Sequence, residues 1–220
     1  MRLLKYFLQQ LQAATFTTII FYTNSATAQI VPDATLLKNS RITTQDNIKI
    51  IEGGTQVESN LFHSFEQFSI PIKQTAYFKN IQNIQNIITR ITGKSISNID
   101  GVIRANGTAN LFLINPNGIV FGENAALNIG GSFFATTASS INFADGTIFS
   151  AIQPEAAPLL TINVPVGLQF GSTAAPIRNK SQTSPDGSTT SFPKSVGLQV
   201  PTGKTLALIG GDVILEGGIL

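Results

Sequence analysis

The chain has 220 residues, a formal net charge of +2, only 12% charged residues and no cysteine. Neither disulfides nor thiolate metal sites can hold it, and its length suits one domain with a sizeable core. Arg2 and Lys5 account for the whole basic excess, leaving twelve basic against twelve acidic side chains in residues 29–220; no basic surface for nucleic acid is expected, despite a pI near 9.0.

Residues 1–28 read as an export signal. Arg2 and Lys5 form a positive start, residues 13–22 a short apolar core, and Ala26-Thr27-Ala28 a small-residue cleavage site, so the mature chain would begin at Gln29. The apolar core is shorter than the roughly 20 residues a membrane span needs, and no other run approaches that length. The expected division is therefore 1–28 signal peptide and 29–220 mature domain.

Further along, helix signals are poor and the pattern is all-β. Short β-branched or aromatic runs between turn residues predict strands at 48–51, 76–78, 87–91, 111–114, 119–121, 132–135, 160–164, 206–209 and 213–215. Residues 81–87 repeat every three positions, which fits a helical turn or a stacked Asn/Gln coil; the β surroundings favour the stack. Asn106-Gly107 and Asn115-Pro116-Asn117-Gly118 bracket the apolar run 111–114, giving strand, tight corner, strand. Val166-Gly167-Leu168-Gln169-Phe170 returns as Val196-Gly197-Leu198-Gln199-Val200. Such recurrence predicts stacked solenoid coils, with a sandwich of similar hairpins as the other arrangement. Ser, Thr, Pro and Gly mark 173–195 as an exposed inserted loop. The stop at Gly217-Gly218-Ile219-Leu220, just after a strand signal, predicts a truncated reading frame or the head of a longer protein.

Catalytic groups are sparse. His63 is the one histidine, within Leu61-Phe62-His63-Ser64-Phe65-Glu66-Gln67-Phe68. Adjacent side chains of a strand point apart, so His63 and Ser64 make no nucleophile pair; Phe62, Phe65 and Phe68 look like core anchors. Asp100, Glu123, Asp145, Asp212 and Glu216 are scattered singly beside Gly or Asn, where turn chemistry suffices. No glycine-rich phosphate motif occurs. No enzyme activity, metal or cofactor is expected.

Asn115-Pro116-Asn117-Gly118-Ile119 resembles the NPNGI motif of two-partner secretion (TPS) domains, the N-terminal modules of filamentous haemagglutinin-type exoproteins. Further segments resemble that family in order: 61–68, Asn86-Ile87-Ile88-Thr89-Arg90-Ile91-Thr92-Gly93, Ser97-Asn98-Ile99-Asp100-Gly101, Gly130-Gly131-Ser132-Phe133-Phe134-Ala135-Thr136-Thr137, and 196–218. The family's NPNL motif has no literal match. The resemblance implies a right-handed parallel β-helix, pectin lyase-like in shape, with extra strands covering its N-terminal end. It implies passage unfolded through the periplasm of a Gram-negative-type envelope and recognition by the POTRA domains of an Omp85-type outer-membrane transporter. The product would be an adhesin-like exoprotein, secreted or at the cell surface, with glycans as a further partner class. Two readings of 115–119 stay open: a structural corner, or a contact with the transporter. Other functional classes are a carbohydrate-active β-helix enzyme and an adhesin binding glycans through 173–195.

Overall fold

The computed structural model describes residues 29–154, 160–161, 163–183 and 197–216. These residues contain strands and turns and no helix. Four short strands open the chain: β1 (Ile30–Pro32), β2 (Ser40–Gln45), β3 (Ile48–Gly53) and β4 (Thr55–Val57). Three coils follow. The first holds β5 (Asn60–Phe68), a bridge at Ile70 and β6 (Thr75–Phe78); the second β7 (Asn86–Ile91), β8 (Ser97–Ile99) and β9 (Val102–Ala105); the third β10 (Asn110–Ile114), β11 (Ile119–Phe121) and β12 (Ala126–Asn128). β13 (Phe133–Thr136) starts a fourth coil. The chain then leaves the stack through β14 (Ser140–Phe143), β15 (Ile148–Ser150) and β16 (Pro165–Gln169), and re-enters at β17 (Ile177–Asn179). β18 (Leu206–Ile209) and β19 (Val213–Leu215) add to two faces of the stack.

Strands at equivalent points of successive coils pair in parallel, building three faces: β5-β7-β10-β13-β18, β8-β11-β17-β19 and β3-β6-β9-β12. Leu111 pairs with Ile87 before it and Phe133 after it, which sets coil lengths of 24 and 22 residues. This is a parallel β-solenoid. Antiparallel β1 and β4 on β5, and β2 on β3, cover its N-terminal end, as the capping strands were expected to do.

Period-two alternation decides which side chains fill the interior. Leu61, Phe65, Ile87, Ile91, Leu111, Leu113, Phe133, Ile119, Phe121, Phe78 and Ile103 converge in one core running along the stack. The runs in β5, β7 and β10 are apolar on both faces, so the outer face also needs a cover. The β14–β16 antiparallel sheet supplies it, packing Ile141, Phe143 and Phe149 over Phe62, Ile88 and Ile114. Each such large side chain contributes about 1.5–3 kcal/mol by burial. Phe62 and Phe65 thus anchor different cores: a three-residue step along a strand reverses the face.

An asparagine ladder ties the first three coils. Asn86 Nδ2 donates to Asn60 Oδ1 at 2.9 Å, and Asn110 Nδ2 to Asn86 Oδ1 at 3.0 Å. The stacked reading of 81–87 therefore holds for Asn86, while Ile81 to Ile84 close a turn. Asn60 Nδ2 donates in turn to the carbonyls of Thr161 and Asn163, tying the excursion to the first coil. Asn86→Ala should leave Asn60 Oδ1 and Asn110 Nδ2 without these partners and cost about 1–2 kcal/mol in urea unfolding.

Three expectations need correction. The strand foreseen at 160–164 is absent at Leu160 and Thr161, and pairing starts at Pro165. Thr161 serves a turn instead, its Oγ1 donating to Asp145 Oδ2 and accepting from Asn163 N–H. The repeated pentapeptides do not stack: one copy forms β16 outside the solenoid, while Leu198 of the other lies in the solenoid core. The 173–195 segment is not one exposed loop. It contains β17, with Ile177, Asn179 and Ser181 fully buried; residues 184–195 lie outside the described residues. Polar composition misled here because Asn179 and Ser181 spend their polarity on an internal hydrogen bond.

Candidate functional site

The corner between β10 and β11 is built by residues 115–118. Gly118 N–H donates to Asn115 O at 3.1 Å, closing a β-turn with Pro116 at its second position. Asn115 is fully buried. Its Oδ1 accepts from the backbone N–H and the side-chain Nδ2 of Asn117, both at 3.0 Å. Its Nδ2 donates to Ser95 O and Ser97 Oγ, both at 2.9 Å, in the preceding coil. Asn117 Nδ2 reaches Gly93 O at 2.8 Å. On the other side, Asn115 N–H donates to Thr136 O and Ile119 N–H to Pro176 O. Ile119 is fully buried between Ser97 and Ile177. Asn115, Asn117, Gly118 and Ile119 therefore join three successive coils through hydrogen bonds at a partly to fully buried corner.

Gly118 has a φ of +119°. A Cβ there would sit 3.3 Å from Pro176 O. Gly118→Ala should cost about 1–2 kcal/mol, read as a lower denaturation midpoint with unchanged slope.

Beside this corner lies a groove of about 540 Å³, lined by Asp33, Glu66, Gln67, Thr92, Gly93, Lys94 and Ser95. Asp33 starts a hydrogen-bonded network. Its Oδ2 accepts from Ser64 Oγ at 2.7 Å and Thr92 Oγ1 at 2.6 Å, and its Oδ1 from Thr35. Arg90 completes it, donating from Nε to Ser64 Oγ, from Nη2 to Thr35 Oγ1 and from Nη1 to Ser150 O, with its guanidinium 4.3 Å from the Phe149 ring centre. Burial alone would raise the Asp33 carboxyl, but hydrogen bonds from Thr92, Ser64 and Thr35 hold it below the usual carboxylate range. Burial pushes Arg90 down to about 10, with Asp33 opposing, so it stays a cation at neutral pH. The network fastens the N-terminal segment and the excursion sheet to the same coil. Only the single Arg within an otherwise apolar strand run could have signalled it.

His63 is buried in the solenoid core and bonds Ser40 Oγ at 2.9 Å through Nδ1; burial pushes its pKa down to about 3. Ser64 points the opposite way, into the Asp33 network, as alternation requires. The carboxylates do structural work separately. Asp100 accepts from Asn124 N–H, and Asp145 from Thr147 N–H and Thr161 Oγ1. Glu216 pairs with Arg178 and Lys180, and Asp212 offers its carbonyl to Ile177 N–H. Bonds from Thr161 and from the Thr147 backbone hold Asp145 down at about 2. Among the described residues no cluster of three or more His, Asp or Glu could hold a metal ion. Ala26 and Ala28 lie outside the described residues; Gln29 is exposed, its carbonyl accepting from Ser69 N–H.

A parallel solenoid, closed by antiparallel strands at one end and carrying an NPNGI corner that binds three coils together, defines a β-helix module. The family model of the TPS secretion domain matches residues 28–220, and the chain belongs to that family of secretion-targeting modules. Among solved structures, the HMW1 secretion domain from Haemophilus influenzae is similar, with a TM-score of 0.54 and 22% identity over 86% of this chain and 41% of that one. That likeness establishes the fold, and the chain spans about two fifths of the length of that structure. A sequence comparison with curated proteins gives no match.

Proposed function

We propose that the domain is the export signal and folding nucleus of an adhesin-like exoprotein. Residues 1–28 direct it to the periplasm and are cleaved before Gln29. The mature chain crosses unfolded to the POTRA domains of an Omp85-type transporter, and its cargo reaches the cell surface or the medium. The observation that supports this best is the corner at 115–119. A family motif whose side-chain and backbone groups join three coils is where stacking can start, because each later coil needs only the edge of the one before it. Asn115, Pro116, Asn117, Gly118 and Ile119 act in export as this corner, by permitting folding once the chain emerges.

Co-expression with a cognate transporter in a Gram-negative host tests the proposal. The mature chain, beginning at Gln29, should appear outside the cells only when the transporter is present. A chain retained in the periplasm, while a control exoprotein leaves the same cells, would overturn it.

A further inference from the structure

Glycine follows asparagine twice in the chain, at Asn106-Gly107 and Asn117-Gly118. That step carries a chemistry of its own. Glycine has no Cβ to crowd its nitrogen, so the nitrogen can reach the carboxamide carbon of the asparagine before it. Solvent base takes the N–H proton and the nitrogen attacks Cγ. The new N–Cγ bond closes a cyclic imide, the Cγ–Nδ2 bond breaks, and the amide nitrogen leaves as ammonia with a proton from solvent. Water then opens the imide at either carbonyl. The product is an aspartate, or an isoaspartate that routes the main chain through the side chain. The reaction consumes only water.

The fold holds the two steps differently. Gly118 is buried, and its N–H donates to Asn115 O at 3.1 Å, which withholds the proton from solvent base. In the turn this bond closes, ψ of the third residue, Asn117, is about 0° in type I and type II alike, and that turns Gly118 N away from the Asn117 Cβ. The carboxamide is pinned as well: Asn117 Nδ2 donates to Gly93 O at 2.8 Å and to Asn115 Oδ1 at 3.0 Å. Gly107, by contrast, is exposed, and a Cβ there would meet nothing within 4 Å. Among the described residues nothing accepts its N–H. Only the Asn106 carboxamide is held, Oδ1 by the Tyr77 hydroxyl at 2.6 Å and Nδ2 by Asn80 O at 2.9 Å. The nucleophile is thus guarded at 117–118 and open at 106–107.

Conversion at position 117 would undo the corner. A carboxylate oxygen would replace the Nδ2 donor and face two acceptors, Gly93 O and Asn115 Oδ1. An isoaspartate would also lengthen the turn that Gly118 N–H closes.

We propose that Asn117-Gly118 is a self-modification site that folding closes: the unfolded chain loses ammonia there and with it the corner, while the folded domain keeps both. The chemistry is independent of any partner. Its consequence in cells rests on the export reading above: a chain held long in the unfolded state loses the ability to fold, and one already folded outside is preserved.

The purified full chain, kept in native buffer and in concentrated guanidinium chloride at the same mildly alkaline pH, tests this by peptide mass spectrometry over time. In denaturant positions 106 and 117 should convert at similar rates. In native buffer position 117 should convert at least about tenfold more slowly than in denaturant, because the corner must first open, and more slowly than position 106. Equal rates at 117 in the two solutions, or conversion at 106 alone in denaturant, would overturn the proposal. Asn117→Asp tests the loss of the corner apart from the rate. It should unfold at a lower denaturant concentration than wild type, or not fold; a wild-type midpoint would overturn the claimed consequence. Both measurements use the chain alone, so a failure of export in cells leaves them standing, and their failure leaves the export reading intact.

Discussion

Asn115→Ala is expected to destabilise the mature domain by about 3–5 kcal/mol, a large share of the 5–15 kcal/mol typical of a whole domain. The substitution deletes four hydrogen bonds at a fully buried position. Ser95 O, Ser97 Oγ and both the backbone and side-chain N–H groups of Asn117 lose a partner at once. Asn115→Asp separates the two halves of the interaction. It retains an acceptor for Asn117 but turns a carboxylate oxygen toward Ser95 O at a fully buried position with no cation beside it, so its cost should at least equal that of alanine. Urea unfolding of both variants, beside their export yield, decides between the two readings of the motif. A corner role predicts that export falls in step with stability. A variant that unfolds at the wild-type midpoint yet fails to leave the cell would make the motif a contact.

The corner was legible because its residues speak locally. Pro116 presets a turn, Gly118 takes a conformation that side chains resist, and flanking apolar runs need no partner to be recognised as strands. The parallel faces were legible through 87–91, 111–114, 119–121, 206–209 and 213–215, where apolar runs of three to five residues coincide with strands. Strands β8, β9, β12 and β17 escaped because each is only three or four residues long and mixes polar with apolar positions. Their identity comes from the coil beneath, which supplies a ready edge, and a single chain segment carries no record of that. The excursion sheet escaped for a related reason. Its pairing joins Ser140 to both Ser150 and Gln169, and no local signal says that a hairpin will fold back over β5, β7 and β10 instead of extending the stack. The Asp33–Arg90 network is the extreme case: stacking of the first two coils joins positions 64, 90 and 92, and only the fold-back of the N-terminal segment and of the excursion sheet adds 33, 35 and 150.

Acidification from pH 7 to pH 5 should cost the folded domain about 2 kcal/mol through His63 alone, following the linkage slope of about 1.4 kcal/mol per pH unit for one proton. His63 is buried, and burial alone depresses its pKa from an ordinary 6.5 to about 3. The rings of Phe65 and Phe78, the Ser40 hydroxyl and Thr89 on the paired strand surround it; none can carry a compensating charge. The unfolded chain binds a proton near pH 6.5 and the folded chain does not until near pH 3. The contribution of the neutral imidazole is therefore complete above about pH 6.5 and is lost progressively down to about pH 3. Asp33, Asp145 and Glu216 also have depressed pKa values, and their stabilisation is likewise lost on acidification, but only as pH falls through their own, lower range. Between pH 6.5 and 5 the histidine accordingly dominates the slope. Urea midpoints across that interval should fall in wild type and stay nearly level in His63→Gln, whatever that variant costs at neutral pH. Parallel slopes would remove His63 as the cause.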